Sequence, residues 1–225
     1  MKIHIPILLS ITVTFLGSFC LSHPGRTDSN GGHYDKSASM YHCHDSACSE
    51  IVDTEANEAG IKRYNRKDWR HWIDEDGDCQ NTRAEILISQ SELSVEFATS
   101  RQCRVVKGSW LGGLTGVRLL YASDVDIDHV IPLSYAHRHG GASWSAQKKE
   151  QFANDPLNLL PTYDMENREK SDKGPSGYLP PNKNLVYSYI KRWQAIGVNY
   201  DLSIASDDMV IIRDIISCVE SLQSC

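Results

Sequence analysis

The chain has 225 residues, of which 40% are hydrophobic and 23% are charged, and its formal net charge is −6 at pH 7. This length fits one medium-sized domain with a small appendage, and the composition is typical of a globular protein. The acidic balance argues against a polycation held on nucleic acid by bulk charge, so a nucleic-acid substrate would need a local basic patch and a bound cation.

Residues 1–22 are typical of an export signal. Lys2 gives a short positive start, and residues 5–19 form an apolar run too short for a membrane span. A lipid anchor on Cys20 is the alternative, but Phe19 stands where a lipoprotein signal has a small residue. We therefore predict a secreted or periplasmic protein with no stable membrane association.

Removal of this signal leaves six of the seven cysteines, an even number for an oxidising compartment. Proximity in the sequence suggests three disulfides among many pairings: Cys43 with Cys48, Cys79 with Cys103, and Cys218 with Cys225. Seven residues along an α-helix would place two Cα atoms about 10 Å apart, too far for a disulfide. The final helix must therefore end before Cys225.

Residues 23–50 form a histidine- and cysteine-rich segment with almost no apolar periodicity. Its imidazoles and thiols could bind zinc, but their spacing matches no standard finger, and a disulfide-closed, solvated tail is the favoured interpretation. Residues 51–63 are predicted to be a linker, and residues 64–225 the main domain.

An acidic run occupies residues 74–79. A calcium loop of the EF-hand type needs glycine at its sixth position and glutamate at its twelfth, whereas Gly77 directly follows the third acidic residue. This pattern favours a structural turn over a calcium loop.

Residues Thr82 to Glu85 form a capping box, which predicts that a short helix begins there. Arg83 is left either to bind a phosphate or to pair with the nearby aspartates. Alternating residues at 93–98 and the stretch 103–110 predict two strands.

Residues 126–133 alternate polar and apolar side chains as a half-buried strand does, and the pattern stops at a proline. This strand carries Asp128 and His129, and Asn158 and Asn167 follow further along the chain. A carboxylate, an imidazole and two carboxamides, followed by a lysine-rich turn, could hold a hard cation and a phosphate together. Such a set suffices for metal-assisted phosphodiester hydrolysis if the fold brings it together.

Helix signals surround this stretch. Ser145 is predicted to cap a helix that runs to about Ala153, Asn182 precedes a helical pattern, and a final helix is predicted to start at Ser206. Strands mixed with helices in this order indicate an α+β protein.

Three motifs carry a family resemblance: Asp-His-Val-Ile-Pro at 128–132, Asn-Leu-Leu at 158–160, and Asn-x-x-Lys-Ser-Asp-Lys at 167–173. They resemble the ββα-metal signature of HNH endonucleases, and more narrowly that of secreted bacterial HNH proteins related to the C-terminal domain of GmrSD restriction enzymes. The similarity runs from roughly Tyr64 to past Trp193. It implies a ββα-metal (HNH) core with added helices and a small antiparallel sheet, stapled by disulfides, over residues 64–225.

The resemblance also implies roles for the motif residues. Asp128 and Asn167 would bind one divalent cation, and their hard oxygens favour Mg²⁺, with Mn²⁺ or Ca²⁺ as alternatives. His129 would be the general base, and Asn158 would hold its ring in the productive tautomer. Phosphate-binding residues would be the following three: Arg83, Lys170 and Lys173.

The sequence thus predicts an exported, metal-dependent endonuclease that hydrolyses phosphodiester bonds of DNA, in preference to RNA, by a one-metal, histidine general-base mechanism. The alternative is a non-catalytic secreted module that binds metal or nucleic acid.

Overall fold

The computed structural model of the protein describes residues 32–35, 40–43 and 63–221. Within them, seven strands form three antiparallel sheets. The first sheet pairs β1 (Gly32–Asp35) with β2 (Met40–Cys43), and the second contains β3 (Glu96–Phe97), β4 (Val105–Leu111) and β5 (Arg118–Tyr121). The third pairs β6 (Val125–His129) with β7 (Leu159–Tyr163). The α-helices of the described residues are α1 (Thr82–Ser89), α2 (Leu133–Arg138), α3 (Ala146–Asn154), α4 (Asp164–Lys170), α5 (Lys183–Asn199) and α6 (Ser206–Glu220). The prediction of an α+β protein with small antiparallel sheets is confirmed.

The helix starts follow their capping signals with one correction. Helix α1 begins at the predicted place, but its N-cap is Asn81, whose side chain accepts a hydrogen bond from the backbone N–H of Ala84. Thr82, predicted to be the cap, instead donates to the side chain of Asn154. Ser145 caps α3 as predicted, because its hydroxyl accepts a hydrogen bond from the backbone N–H of Lys148.

Two apolar clusters form the core of the described residues, and they meet at the end of β6. The main cluster is formed largely by the helices and includes Phe152 and Trp193. The smaller cluster packs α1 against the sheets and includes Leu87 and Trp110. Ile127 belongs to the smaller cluster and Val130, just after the strand, to the main one. The strand thus packs into the smaller cluster and the residues directly after it into the main one, which anchors the end of β6.

The disulfide between Cys79 and Cys103 is confirmed, with its Cα atoms 5.1 Å apart. Cys48 and Cys225 lie outside the described residues, and so does nearly all of the histidine-rich segment. Helix α6 ends at Glu220, which meets the condition that the final helix stop before Cys225. Within the described part of the chain, no helix is long and apolar enough to cross a membrane.

The acidic run folds into a turn in which aspartate carboxylates accept hydrogen bonds from backbone N–H groups of the same run. The carboxylate of Asp74 accepts hydrogen bonds from the N–H groups of Gly77 and Cys79, and Asp76 accepts one from that of Asp78. These contacts agree with the structural turn that the sequence favours.

Candidate active site

The strand pair β6–β7 and helix α4 bring three predicted site residues to one cavity. In the antiparallel pair, Asp128 lies opposite Leu160, and His129 lies opposite Leu159. Helix α4 starts directly after β7 and packs back on both strands, which brings Asn167 to the end of β6. Asp128, His129 and Asn167 line a cavity of about 490 Å³.

The ring of His129 is fixed by a backbone carbonyl. Its Nε2 lies 2.9 Å from the carbonyl oxygen of Ala153. Because a carbonyl only accepts, Nε2 carries the proton and Nδ1 keeps the lone pair. The indole of Trp72 stacks on this ring with the centroids 5.9 Å apart. Burial lowers the pKa of His129 to about 3, so the ring is neutral at ordinary pH.

Asn158 does not make the contact that the resemblance implies. Its side-chain oxygen accepts from the N–H of Ile131 at 2.8 Å, and its amide nitrogen donates to the carbonyl of the same residue at 3.2 Å. This fully buried carboxamide therefore fixes the loop that follows β6. Ala153, rather than Asn158, sets the tautomer of His129.

Asp128 forms a buried ion pair with Lys170. The ammonium lies 3.1 Å from both carboxylate oxygens and donates to the carbonyl of His129 at 2.8 Å. Only the contact to Oδ1 has hydrogen-bond geometry, so Oδ2 is buried without a hydrogen-bond partner among the described residues. Burial raises the pKa of the Asp128 carboxyl, although the charge of Lys170 acts in the opposite direction.

This ion pair contradicts the prediction that Lys170 binds phosphate. The side chain of Lys170 is 0% exposed, and its polar contacts within the described part of the chain are with Asp128 and His129 of β6. A lysine that binds phosphate has to be accessible, whereas burial of an ammonium is costly unless a charge pairs with it. Asp128 provides that charge.

Asn167 is oriented by Asp126. Its amide nitrogen donates to the carboxylate of Asp126 at 3.1 Å, which leaves the side-chain oxygen Oδ1 without a hydrogen bond in the described part of the chain. A hard oxygen of the amide is thereby available at the cavity that Asp128 also lines.

The other two predicted phosphate ligands lie off this cavity. Arg83 donates through Nη2 to the carbonyls of Ala122 and Val125, at 2.9 and 2.8 Å, and lines a separate pocket. It ties α1 to the start of β6, and this structural role replaces the expected phosphate contact. Lys173 is exposed and donates to the carbonyl of Glu169, so its phosphate-binding role stays a prediction.

The sequence motifs missed one wall of the cavity. Residues 63–72, here called the cover segment, place Tyr64 and Arg66 in the cavity lining and lay Trp72 on the ring of His129. Trp72 has a backbone φ of 60°, and Ser171, which also lines the cavity, has a φ of 51°. Left-handed conformations of residues other than glycine are strained and cluster at functional sites.

The low pKa of His129 makes the stability of the fold dependent on pH. The unfolded imidazole takes up a proton below about pH 6.5, whereas the folded one does so only near 3. Between these values the unfolded state binds the extra proton, so stability falls as the pH falls, by up to about 1.4 kcal/mol per pH unit. We would measure the free energy of unfolding by urea at several pH values in this window. We expect it to change less steeply with pH in His129→Gln than in the unmodified protein. Equal slopes would contradict a buried, neutral imidazole.

The fold and the cavity define the class of protein: an α+β protein in which two antiparallel strands and the next helix bring a carboxylate, an imidazole and a carboxamide together. The chain belongs to the family described as GmrSD restriction endonucleases, C-terminal domain, which matches residues 49–206.

The chain is also similar to a protein of the fungus Arthroderma benhamiae, described as an uncharacterized secreted protein. The two are 39% identical over 145 residues, which cover 64% of this chain and 69% of that protein. This likeness confirms the prediction of an exported protein, but a fungal relative gives no support for a bacterial origin. No solved structure matches the chain.

Proposed function

We propose that the protein is an exported, metal-dependent nuclease of the HNH type that hydrolyses phosphodiester bonds of DNA in preference to RNA. Family membership supports a nuclease-like activity. The single observation that carries the proposal is the convergence on one cavity of Asp128 and His129, which are neighbours on β6, with Asn167, which lies far from them in the chain. In this proposal β6, β7 and α4 are the ββα core of the site.

His129 is the general base. Its Nδ1 lone pair accepts the proton of the attacking water, because Nε2 is already bonded to the carbonyl of Ala153. A pKa of about 3 makes the ring a weak base in the empty site. A bound phosphodiester brings negative charge beside the imidazole, which raises this pKa toward the range that suits a base.

The chain's own oxygens fit a hard divalent cation. Oδ2 of Asp128 is buried without a hydrogen-bond partner among the described residues, and Oδ1 of Asn167 is left open by its contact with Asp126. One carboxylate and one amide are typical of Mg²⁺ sites that are completed by waters and a substrate phosphate. When bound, such a cation neutralises charge on the phosphate and assists departure of the leaving oxygen. Lys170 keeps the adjacent carboxylate in place.

This proposal is tested by incubation of the purified, oxidised protein with supercoiled plasmid. We expect nicking with Mg²⁺ or Mn²⁺ and none with excess EDTA, because the proposed mechanism needs a cation to neutralise charge on the phosphate. Asn167→Ala should need about tenfold more Mg²⁺ for half-maximal activity, since it loses one of two protein ligands.

The matched control is Asn184→Ala, an exposed carboxamide at the start of α5 that does not line the cavity. It should keep the metal requirement of the unmodified protein. Inactivity toward DNA and RNA with every divalent ion would contradict the proposal and favour a non-catalytic binding module.

A further inference from the structure

The cover segment contains an arginine whose surroundings suit a phosphate. We propose that Arg66, with Tyr64 and His71 beside it, forms a binding site for a backbone phosphate of the nucleic-acid substrate. This inference rests on the proposed nuclease function and deepens it, because it names a second contact to the same substrate. Arg66 lies in a 3-10 turn, is exposed, and lines the cavity of Asp128 and His129.

His71 orients the guanidinium of Arg66. His71 is protonated on Nδ1, because that atom lies 2.8 Å from the carbonyl oxygen of Trp69. Its Nε2 therefore accepts, and it lies 3.4 Å from Nη2 of Arg66. This contact is made by a ring nitrogen and not by a carboxylate, so it directs the guanidinium without pairing it with an anion. Tyr64 lines the same cavity as Arg66.

Other arginines at or near the cavity are already paired with carboxylates. Arg168 pairs with Asp164 at 3.0 Å, and Arg138 pairs with Asp172 at 2.8 Å. Among the described residues, Arg66 has no carboxylate within ion-pair distance. Its charge is therefore available for an anion that enters the cavity.

The geometry of a guanidinium favours phosphate as this anion. The planar fork of N–H groups can donate to two phosphate oxygens at once, and such charge-assisted pairs are strong. A phosphodiester that reaches Asp128 and His129 lies in the cavity that Arg66 also lines. The backbone of a nucleic acid has a phosphate at every nucleotide. A nucleic-acid strand that enters this cavity therefore brings a phosphate for Arg66 with it.

Binding without cleavage tests the site. We would measure the affinity of the full chain for a fluorescein-labelled single-stranded DNA dodecamer in EDTA, by anisotropy, over a series of salt concentrations. Arg66→Gln should weaken binding about tenfold at low salt and lower the slope of log affinity against log salt by about 0.7, the value for one lost phosphate contact. Arg66→Lys should restore the slope, because the charge returns, but not the full affinity.

The matched control is Arg70→Gln, which removes the same charge from the same segment. Arg70 pairs with Glu150 at 2.8 Å and does not line the cavity, so its variant should keep affinity and slope. If Arg66→Gln keeps the wild-type slope while the protein still cleaves DNA, the inference is overturned and the nuclease function stands. If the unmodified protein neither cleaves nor shows salt-dependent binding to DNA or RNA, both are overturned.

Discussion

Replacing His129 with glutamine is expected to lower the turnover number on plasmid DNA about 1000-fold, within the range that a positioned general base contributes. Glutamine can still donate to the carbonyl of Ala153 through its amide, which keeps the contact that Nε2 makes. It has no lone pair comparable to that of Nδ1 of an imidazole, so the attacking water loses its proton acceptor. The rate at which nicked plasmid forms under single-turnover conditions would measure the chemical step.

His139→Gln is the matched control for this prediction. His139 also donates a ring N–H to a carbonyl, that of Ser203 at 2.6 Å, but it does not line the cavity. Its variant should keep wild-type turnover. Mn²⁺ binding to His129→Gln, followed by electron paramagnetic resonance, should be close to that of the unmodified protein. If His129→Gln were as active as the control, another residue would have to be the base.

Replacing Lys170 with methionine is expected to lower the free energy of unfolding by about 3 to 5 kcal/mol near pH 8. The change leaves the carboxylate of Asp128 buried without a counter-charge, and it also removes the bond to the carbonyl of His129. Without the ammonium, the pKa of Asp128 rises further above its unfolded value. The folded state then holds a proton that the unfolded state releases, so the loss should be smaller near pH 5 than near pH 8.

Lys173→Met provides the comparison, because Lys173 lies three residues further on but is exposed. Its effect on urea unfolding should be below about 0.5 kcal/mol, as for ordinary surface changes. The double variant Asp128→Asn with Lys170→Met removes both charges and should recover part of the lost stability. Equal unfolding energies for Lys170→Met and Lys173→Met would contradict the buried ion pair.

The site residues that the sequence located well are those that stand in the motifs of the family resemblance. Asp128 and His129 end a strand whose alternation is visible, and Asn167 follows the next strand by a few residues. Two helices separate β6 from β7 in the chain, so the family resemblance, rather than the spacing, assigned these side chains to one site before the fold was known. The cysteine pair at 79 and 103 was found by proximity in the sequence.

The missed or misassigned residues depend on contacts between distant segments. Lys170 can be buried because it forms an ion pair with Asp128. In the sequence, Lys170 stands at the polar end of a helix, and this position does not indicate that its side chain is buried. Arg83 meets two carbonyls around β6 only after α1 has packed. The hydrogen bond that fixes the ring of His129 is accepted by the backbone carbonyl of Ala153. Every residue has such a carbonyl, so no sequence motif can indicate this contact.

The cover segment has a consequence for any shortened form of the protein. It lies ahead of β6, β7 and α4 in the chain, yet it contributes Tyr64 and Arg66 to the cavity and Trp72 to the ring of His129. A fragment that starts at the acidic turn would keep every motif residue while exposing one face of that imidazole to water. Minimal versions prepared for biochemistry should therefore begin no later than Arg63.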